Sequence, residues 1–133
     1  MNKENWQERT ELLLGSEKIE ILKNAHVLVV GLGGVGGYAA ECLCRAGIGE
    51  LTIVDGDLLH PSNKNRQLPA LESTIGKPKA QVVGARLLDI NPELKLHIIQ
   101  EYIKDDRMIA LLDKPFDYVI DAIDTVSPKV FLI

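Results

Sequence analysis

The sequence predicts an α/β fold in which a mainly parallel sheet lies between two layers of helices, preceded by short N-terminal helices. Three observations carry this. His26-Val-Leu-Val-Val30 and Leu51-Thr-Ile-Val54 are continuous apolar runs rich in β-branched residues, the mark of strands buried on both faces. Two further strand-like runs follow, Leu94 to Gln100 and Tyr118-Val-Ile120, with helix-like segments between. Strands that alternate with helices build βαβ units, and these join parallel strands. With 46% apolar and 26% charged residues, the composition suits one folded domain over residues 1–133.

The elements read in order as follows. Residues 5–23 suggest two short helices broken at Gly15, with Ser16 and Glu17 starting the second and Leu12, Leu13, Ile19 and Leu22 supplying apolar faces. After the first strand comes a glycine cluster at 31–37, then a helix over 34–46 that ends at Gly47. The second strand closes on Asp55. Residues 56–75 are rich in Pro, Asn and Asp and read as loop. A helix is expected over 77–90, with Val82, Val83, Leu87 and Ile90 on its apolar side, and a short one over 105–113. Ser127-Pro128 has the form of another helix start, a cap followed by proline in the first turn. Only Lys129 to Ile133 follow, and an apolar helix of about one turn does not close a domain, so the reading here is a chain truncated at its C-terminus.

Several classes of function are disfavoured. The formal net charge is −4, whereas general binders of nucleic acid or acidic membranes present basic faces; one local basic site remains compatible. No apolar run reaches the ~18 residues of a membrane span, and Met1 to Arg9 lack the apolar core of a signal peptide. Cys42 and Cys44 stand two apart in a helix-like run, which turns them to different faces and argues against a disulfide or a shared metal. Both are expected as buried helix cysteines in a cytoplasmic protein.

The chemistry concentrates at strand ends. Gly31-Leu-Gly33-Gly-Val-Gly36 directly follows the first strand and opens the first long helix, the context of a Rossmann-like dinucleotide fingerprint. Gly31 permits the tight turn, Gly33 and Gly34 let a ligand approach the backbone, and Gly36 lets the helix pack on the strand. The helix N-terminus offers unpaired N–H groups to phosphate. The bland alternative is a tight strand–helix turn with nothing bound. Asp55, ending the second strand, can accept hydrogen bonds from both ribose hydroxyls; Asp57 is open to two readings, loop carboxylate or second ligand.

To this point NAD and ATP fit equally. Asn63-Lys64-Asn65-Arg66-Gln67 and Gly76-Lys77-Pro78-Lys79-Ala80 separate them, because hydride transfer has no use for cations beside phosphates, whereas phosphoryl or nucleotidyl transfer does. Arg66 can clamp phosphate oxygens bidentately, Lys79 can act as a point charge, and Asn65 stands beside Arg66 as a further candidate. Taken singly, each cation also reads as an ordinary solvated side chain. Asp121-Ala-Ile-Asp124 ends the fourth strand, where ligands of open α/β sheets sit; Asp124 is the candidate Mg2+ ligand and Asp121 a capping or orienting group.

Together, Arg9-Thr-Glu-Leu-Leu-Leu-Gly15, Gly31 to Gly36, Val54-Asp55-Gly-Asp57, Asn63 to Gln67, Gly76 to Ala80, Ile90-Asn-Pro92 and Asp121 to Asp124 resemble the ubiquitin-activating-like adenylating enzymes, whose bacterial members include ThiF, MoeB and HesA. Arg9-Thr10 with Gly15, Ala46 to Gly49, Asn65-Arg-Gln67 and Tyr118 to Asp124 resemble in particular the branch of tRNA threonylcarbamoyladenosine dehydratases. The resemblance implies attack of a substrate carboxylate on the α-phosphate of ATP, release of pyrophosphate and, in that branch, dehydrating ring closure on tRNA. It implies roles for Asp55 (ribose), Arg66 and Lys79 (phosphates) and Asp124 (Mg2+). It also implies a homodimer, since Arg9 matches an arginine that reaches the partner subunit's ATP, although Trp6-Gln-Glu-Arg9 departs from the pattern of the sulfur-carrier activators. A second reading within the family is adenylation of a small sulfur-carrier or ubiquitin-like protein, with a sulfur-acceptor partner. Outside it stand an NAD-dependent oxidoreductase, which leaves Arg66, Lys79 and Asp124 unexplained, and a nucleotide-binding or dimerising module without catalysis.

Overall fold

The computed structural model describes residues 5–123. Four parallel strands, β1 (His26–Val30), β2 (Glu50–Val54), β3 (Lys95–Ile99) and β4 (Tyr118–Asp121), form one sheet in the order β3-β2-β1-β4. Helices α1 (Glu8–Leu14) and α2 (Ser16–Lys23) precede it, and α3 (Gly36–Ala46), α4 (Lys79–Ile90) and α5 (Asp105–Leu112) supply the crossovers. The order reverses direction between β1 and β4, which makes the carboxyl ends of these strands a topological switch point.

Alternation along the strands divides the core in two. Val27, Val29, Leu51 and Ile53 face α3 and α4, against Ala40, Cys44, Ala80, Val83 and Leu87. Leu28, Val30 and Val54 face the opposite way, against Ile103, Met108 and Leu111 at and before α5. Helices therefore cover both faces, the three-layer α/β/α arrangement expected for buried parallel strands. Between the two helices of the first layer, Arg45 Nε and Arg86 Nη2 donate to the Glu41 carboxylate at 3.2 and 3.4 Å, and Arg86 Nε donates as well.

Element boundaries differ from the sequence expectation for local reasons. The helix expected from residue 34 begins at Gly36, because residues 31–35 are spent on the turn. Likewise α4 starts at Lys79, since Pro78 occupies its N-cap in extended geometry. The 56–75 loop contains a short 3-10 helix, Pro61–Asn65, closed by reciprocal hydrogen bonding between His60 and Asn63.

Two expectations are corrected. Leu12 and Leu13 are 82% exposed, so α1 packs neither against the sheet, and of the four apolar residues named for the arm only Ile19 is buried. Of the two cysteines, Cys44 is buried and donates to Leu87 O at 3.4 Å, while Cys42 is exposed, the different faces that their spacing dictates. Burial raises the Cys44 thiol above its usual pKa. Asp124 and the Ser127-Pro128 helix start lie outside the described residues. No helix among the described residues is long and apolar enough to cross a membrane.

Candidate active site

A cleft of about 430 Å3 opens at the carboxyl ends of the strands. Its floor is the glycine turn. Gly31 adopts φ +93°, a region that costs side-chain-bearing residues strain, and a Cβ there would lie 2.6 Å from Ala122 O. At Gly36 a Cβ would lie 1.6 Å from Gly31 O, so only glycine lets α3 start this close to β1. The turn is tied to both neighbouring strands: Gly31 N–H donates to Val54 O at 2.9 Å and Ala122 N–H to Val30 O at 3.0 Å. Among the described residues no side chain caps the N-terminus of α3, which begins directly after Gly33, Gly34 and Val35 in the cleft lining.

Asp55 is held rather than free. Its Oδ2 accepts from Leu32 N–H at 2.8 Å and its Oδ1 from Asp57 N–H at 2.7 Å. Each oxygen keeps a second lone pair, so the carboxylate is oriented at the cleft wall with acceptor capacity left over. Asp57 accepts a hydrogen bond from the Tyr102 hydroxyl, which pushes the tyrosine pKa up, and its Oδ2 lies 3.9 Å from Lys79 Nζ. The Lys79 backbone N–H also donates to Asp57 O at 2.9 Å, fixing the start of α4 against the loop after β2. Lys79 is 4% exposed, a cation buried almost to its tip with, among the described residues, a single carboxylate at the outer limit of ion-pair distance.

Arg66 lies over the turn. A Cβ at Gly34 would come within 3.2 Å of its Cγ, and its guanidinium donates through Nη1 to Asn65 Oδ1 at 3.0 Å and Ser62 O at 3.3 Å. Asn65 itself is not among the lining residues; it holds the arginine. The lining also includes Asn63 and Gln67, both buried, and Glu101, Tyr102 and Lys104 after β3. Gln67 Oε1 is buried with no hydrogen-bond partner among the described residues. Sequence reasoning quoted the stretch containing Asn63 and Gln67 but singled out Asn65 and Arg66, and it passed over the residues after β3. The rule that ligands gather at the carboxyl ends of strands already pointed to that segment.

The structure thus brings Gly31, Gly33, Gly34, Asp55, Asp57, Arg66 and Lys79 to one cleft, with Gly36 setting the floor beneath it. Arg9 lies on an exposed face of α1 and does not line it. Asp121, at the end of β4, accepts from Ile123 N–H at 3.2 Å.

A ThiF family profile matches residues 7–132. The chain belongs to the ThiF family. Over 124 residues it is 45% identical to the tRNA threonylcarbamoyladenosine dehydratase of Bacillus subtilis, covering 93% of this chain and 49% of that protein. It is 40% identical over 110 residues to the molybdopterin-synthase adenylyltransferase of Salmonella typhimurium, covering 83% of this chain and 44% of that one. Among solved structures, the Escherichia coli tRNA N6-threonylcarbamoyladenosine dehydratase in complex with ATP superposes with a TM-score of 0.93 at 39% identity, over 100% of this chain and 56% of that one. The chain spans about half the length of the curated relatives it matches.

Proposed function

We propose that this cleft of the ThiF-family fold binds ATP and that the protein adenylates a carboxylate, the substrate being the threonylcarbamoyl group of tRNA threonylcarbamoyladenosine, which is then closed to its cyclic, dehydrated form. The observation that carries the proposal is the convergence, in one cleft, of an uncapped helix N-terminus on a glycine turn, an oriented Asp55 and the cations Arg66 and Lys79. Asp55 receives the ribose hydroxyls and the turn receives phosphate oxygens. Arg66 and Lys79 stabilise the charge that builds on the α-phosphate and the departing pyrophosphate. Lys79 is suited to this because, among the described residues, its buried charge faces only Asp57, at 3.9 Å. The unpaired Gln67 Oε1 supports an occupant with a hydrogen-bond donor, since a buried acceptor without one costs ~1–3 kcal/mol.

The described carboxylates lining the cleft are already engaged, Asp55 by two N–H groups, Asp57 by Tyr102 and Glu101 by Arg107. The Mg2+ that would accompany the triphosphate is assigned to Asp124, three residues after Asp121 in the sequence and outside the described residues. A cytoplasmic homodimer, in which Arg9 of one subunit reaches the other's nucleotide, completes the reading; the exposure of Arg9, away from its own cleft, is compatible with that reach.

The test is mass spectrometry of tRNA nucleosides after incubation of the full-length protein with ATP and tRNA bearing threonylcarbamoyladenosine. Loss of one water from that nucleoside is expected. An unchanged nucleoside together with adenylation of a carrier-protein C-terminus would transfer the reaction to the molybdopterin-synthase adenylyltransferase type, which the 40% identity to the Salmonella protein keeps in view.

A further inference from the structure

We infer that His26, Glu50 and His97 form a binding site for one divalent transition-metal ion, Zn2+ by the character of the donor set, at the amino end of the sheet. The site is built by strand register. His26 and Glu50 are the first residues of β1 and β2 and pair with each other; His97 pairs with Thr52, two residues beyond Glu50. All three side chains therefore rise from the same face, at the end of the sheet opposite the ATP cleft.

One ligand atom from each residue lies within 4.8 Å of the others. His97 Nε2 is 2.7 Å from Glu50 Oε2, and His26 Nδ1 is 3.7 Å from the same oxygen. A tetrahedral zinc with bonds of ~2.0–2.2 Å holds its ligand atoms about 3.4 Å apart. Small rotations of the half-exposed Glu50 and the exposed His97 reach that spacing without moving the strands.

His26 carries a second feature of a metal-binding histidine. Its Nε2 lies 2.7 Å from the hydroxyl of buried Thr52. With Thr52 Oγ1 accepting from Nε2–H, the ring is fixed in the tautomer that turns the Nδ1 lone pair toward Glu50, the outer partner that ligating imidazoles require. The ring is also held in place by Phe116, edge-on at 4.6 Å. A second cleft, of about 560 Å3, lies over the cluster and gives an ion access and room for a water as fourth ligand. Two imidazoles and one carboxylate suit Zn2+, Ni2+ or Cu2+; Mg2+ and Ca2+ take oxygen ligands. Bound there, the ion ties the starts of β1 and β2 to the middle of β3, and it takes no part in the chemistry at the other end.

The experiment uses the full-length protein, stripped with a chelator and titrated with Zn2+ in competition with a chromophoric chelator, then with Co2+ as a spectroscopic probe. Wild type is expected to take up one more Zn2+ per chain than Glu50→Gln or His97→Ala, and Thr52→Val to weaken that ion by ~10–100-fold. Thermal melts in chelator that match wild type show that Glu50→Gln and His97→Ala fold. Zinc uptake identical in wild type and both variants overturns the proposal. So do sulfur-to-cobalt charge-transfer bands that disappear in Cys42→Ser, which would place the metal on the exposed Cys42.

Discussion

At the carboxyl ends of β1 and β2 the floor of the cleft is backbone, the start of α3 and a glycine turn into which no Cβ fits at Gly31 or Gly36. At the amino ends of the same strands the proposed metal site is entirely side chain, His26, Glu50 and His97 converging across three strands. The difference decides what each end tolerates. Backbone geometry is shared with the core, so an error at the first end costs folding. An error at the second costs a ligand and little else.

The largest expected effect tests that contrast. Gly36→Ala drives a methyl against Gly31 O, both of them backbone-bound, and should destabilise the protein by about 3 kcal/mol or more in urea unfolding. His97→Ala, in chelator, should cost no more than about 0.5 kcal/mol, because the ring is mostly in solvent. Equal costs would break the comparison.

Next in size is catalysis. Arg66→Ala, Lys79→Ala and Asp124→Asn in the full-length protein should each slow ATP–pyrophosphate exchange by about 10²-fold, the scale of losing one preorganised electrostatic contact. Near-normal exchange in any of them would make that residue structural. Lys79→Ala needs a thermal melt beside it, since the side chain is buried. A smaller effect is expected in ligand choice: calorimetry should find Mg·ATP bound at least about tenfold more tightly than NAD, since Arg66 and Lys79 have no counterpart need in a dinucleotide. NAD preferred would remove the phosphate role of both cations.

The contrast between the two ends also explains what was legible in the sequence. β1, β2 and the glycine turn are local signals: a β-branched run followed by glycines at fixed spacing has few other structures open to it. Asp55 and Lys79 could be placed because one follows a strand and the other opens a helix, positions defined along the chain, and Arg66 because it is a cation in the loop between them. Asn65 and Gln67 could not be told apart, because which of two residues beside an arginine points inward depends on how the 3-10 helix before them is seated. Leu12 and Leu13 misled because apolar spacing says nothing of whether a surface is present to receive it. The His26–Glu50–His97 cluster was invisible for the same reason: His26 and His97 meet at Glu50 only through the register of β1 on β2 and β2 on β3.

The smallest effect concerns the helix layer that lies behind both ends. Glu41 on α3 is reached by Arg45 of its own helix and by Arg86 of α4, and its side chain is only 14% exposed. Hydrogen bonding from Arg86, with Arg45 adding to it, holds the carboxyl below its usual pKa of 4.5, against the opposing pull of burial. A carboxylate with a depressed folded-state pKa lends stability that is fully present above the unfolded value and is lost as pH falls through the folded one. Glu41→Gln should therefore destabilise by about 1 kcal/mol at neutral pH, the upper range for ion pairs with partners partly in water. The gap between variant and wild type should hold constant down to about pH 4.5 and close below it. Urea unfolding at a series of pH values measures that gap. A gap that stayed open well into the acid range would show that the amide loses packing rather than charge. A gap absent at pH 7 would show that α3 and α4 are held by Cys44, Val83 and Leu87 alone, and that the ion pairs over them are ornamental to stability.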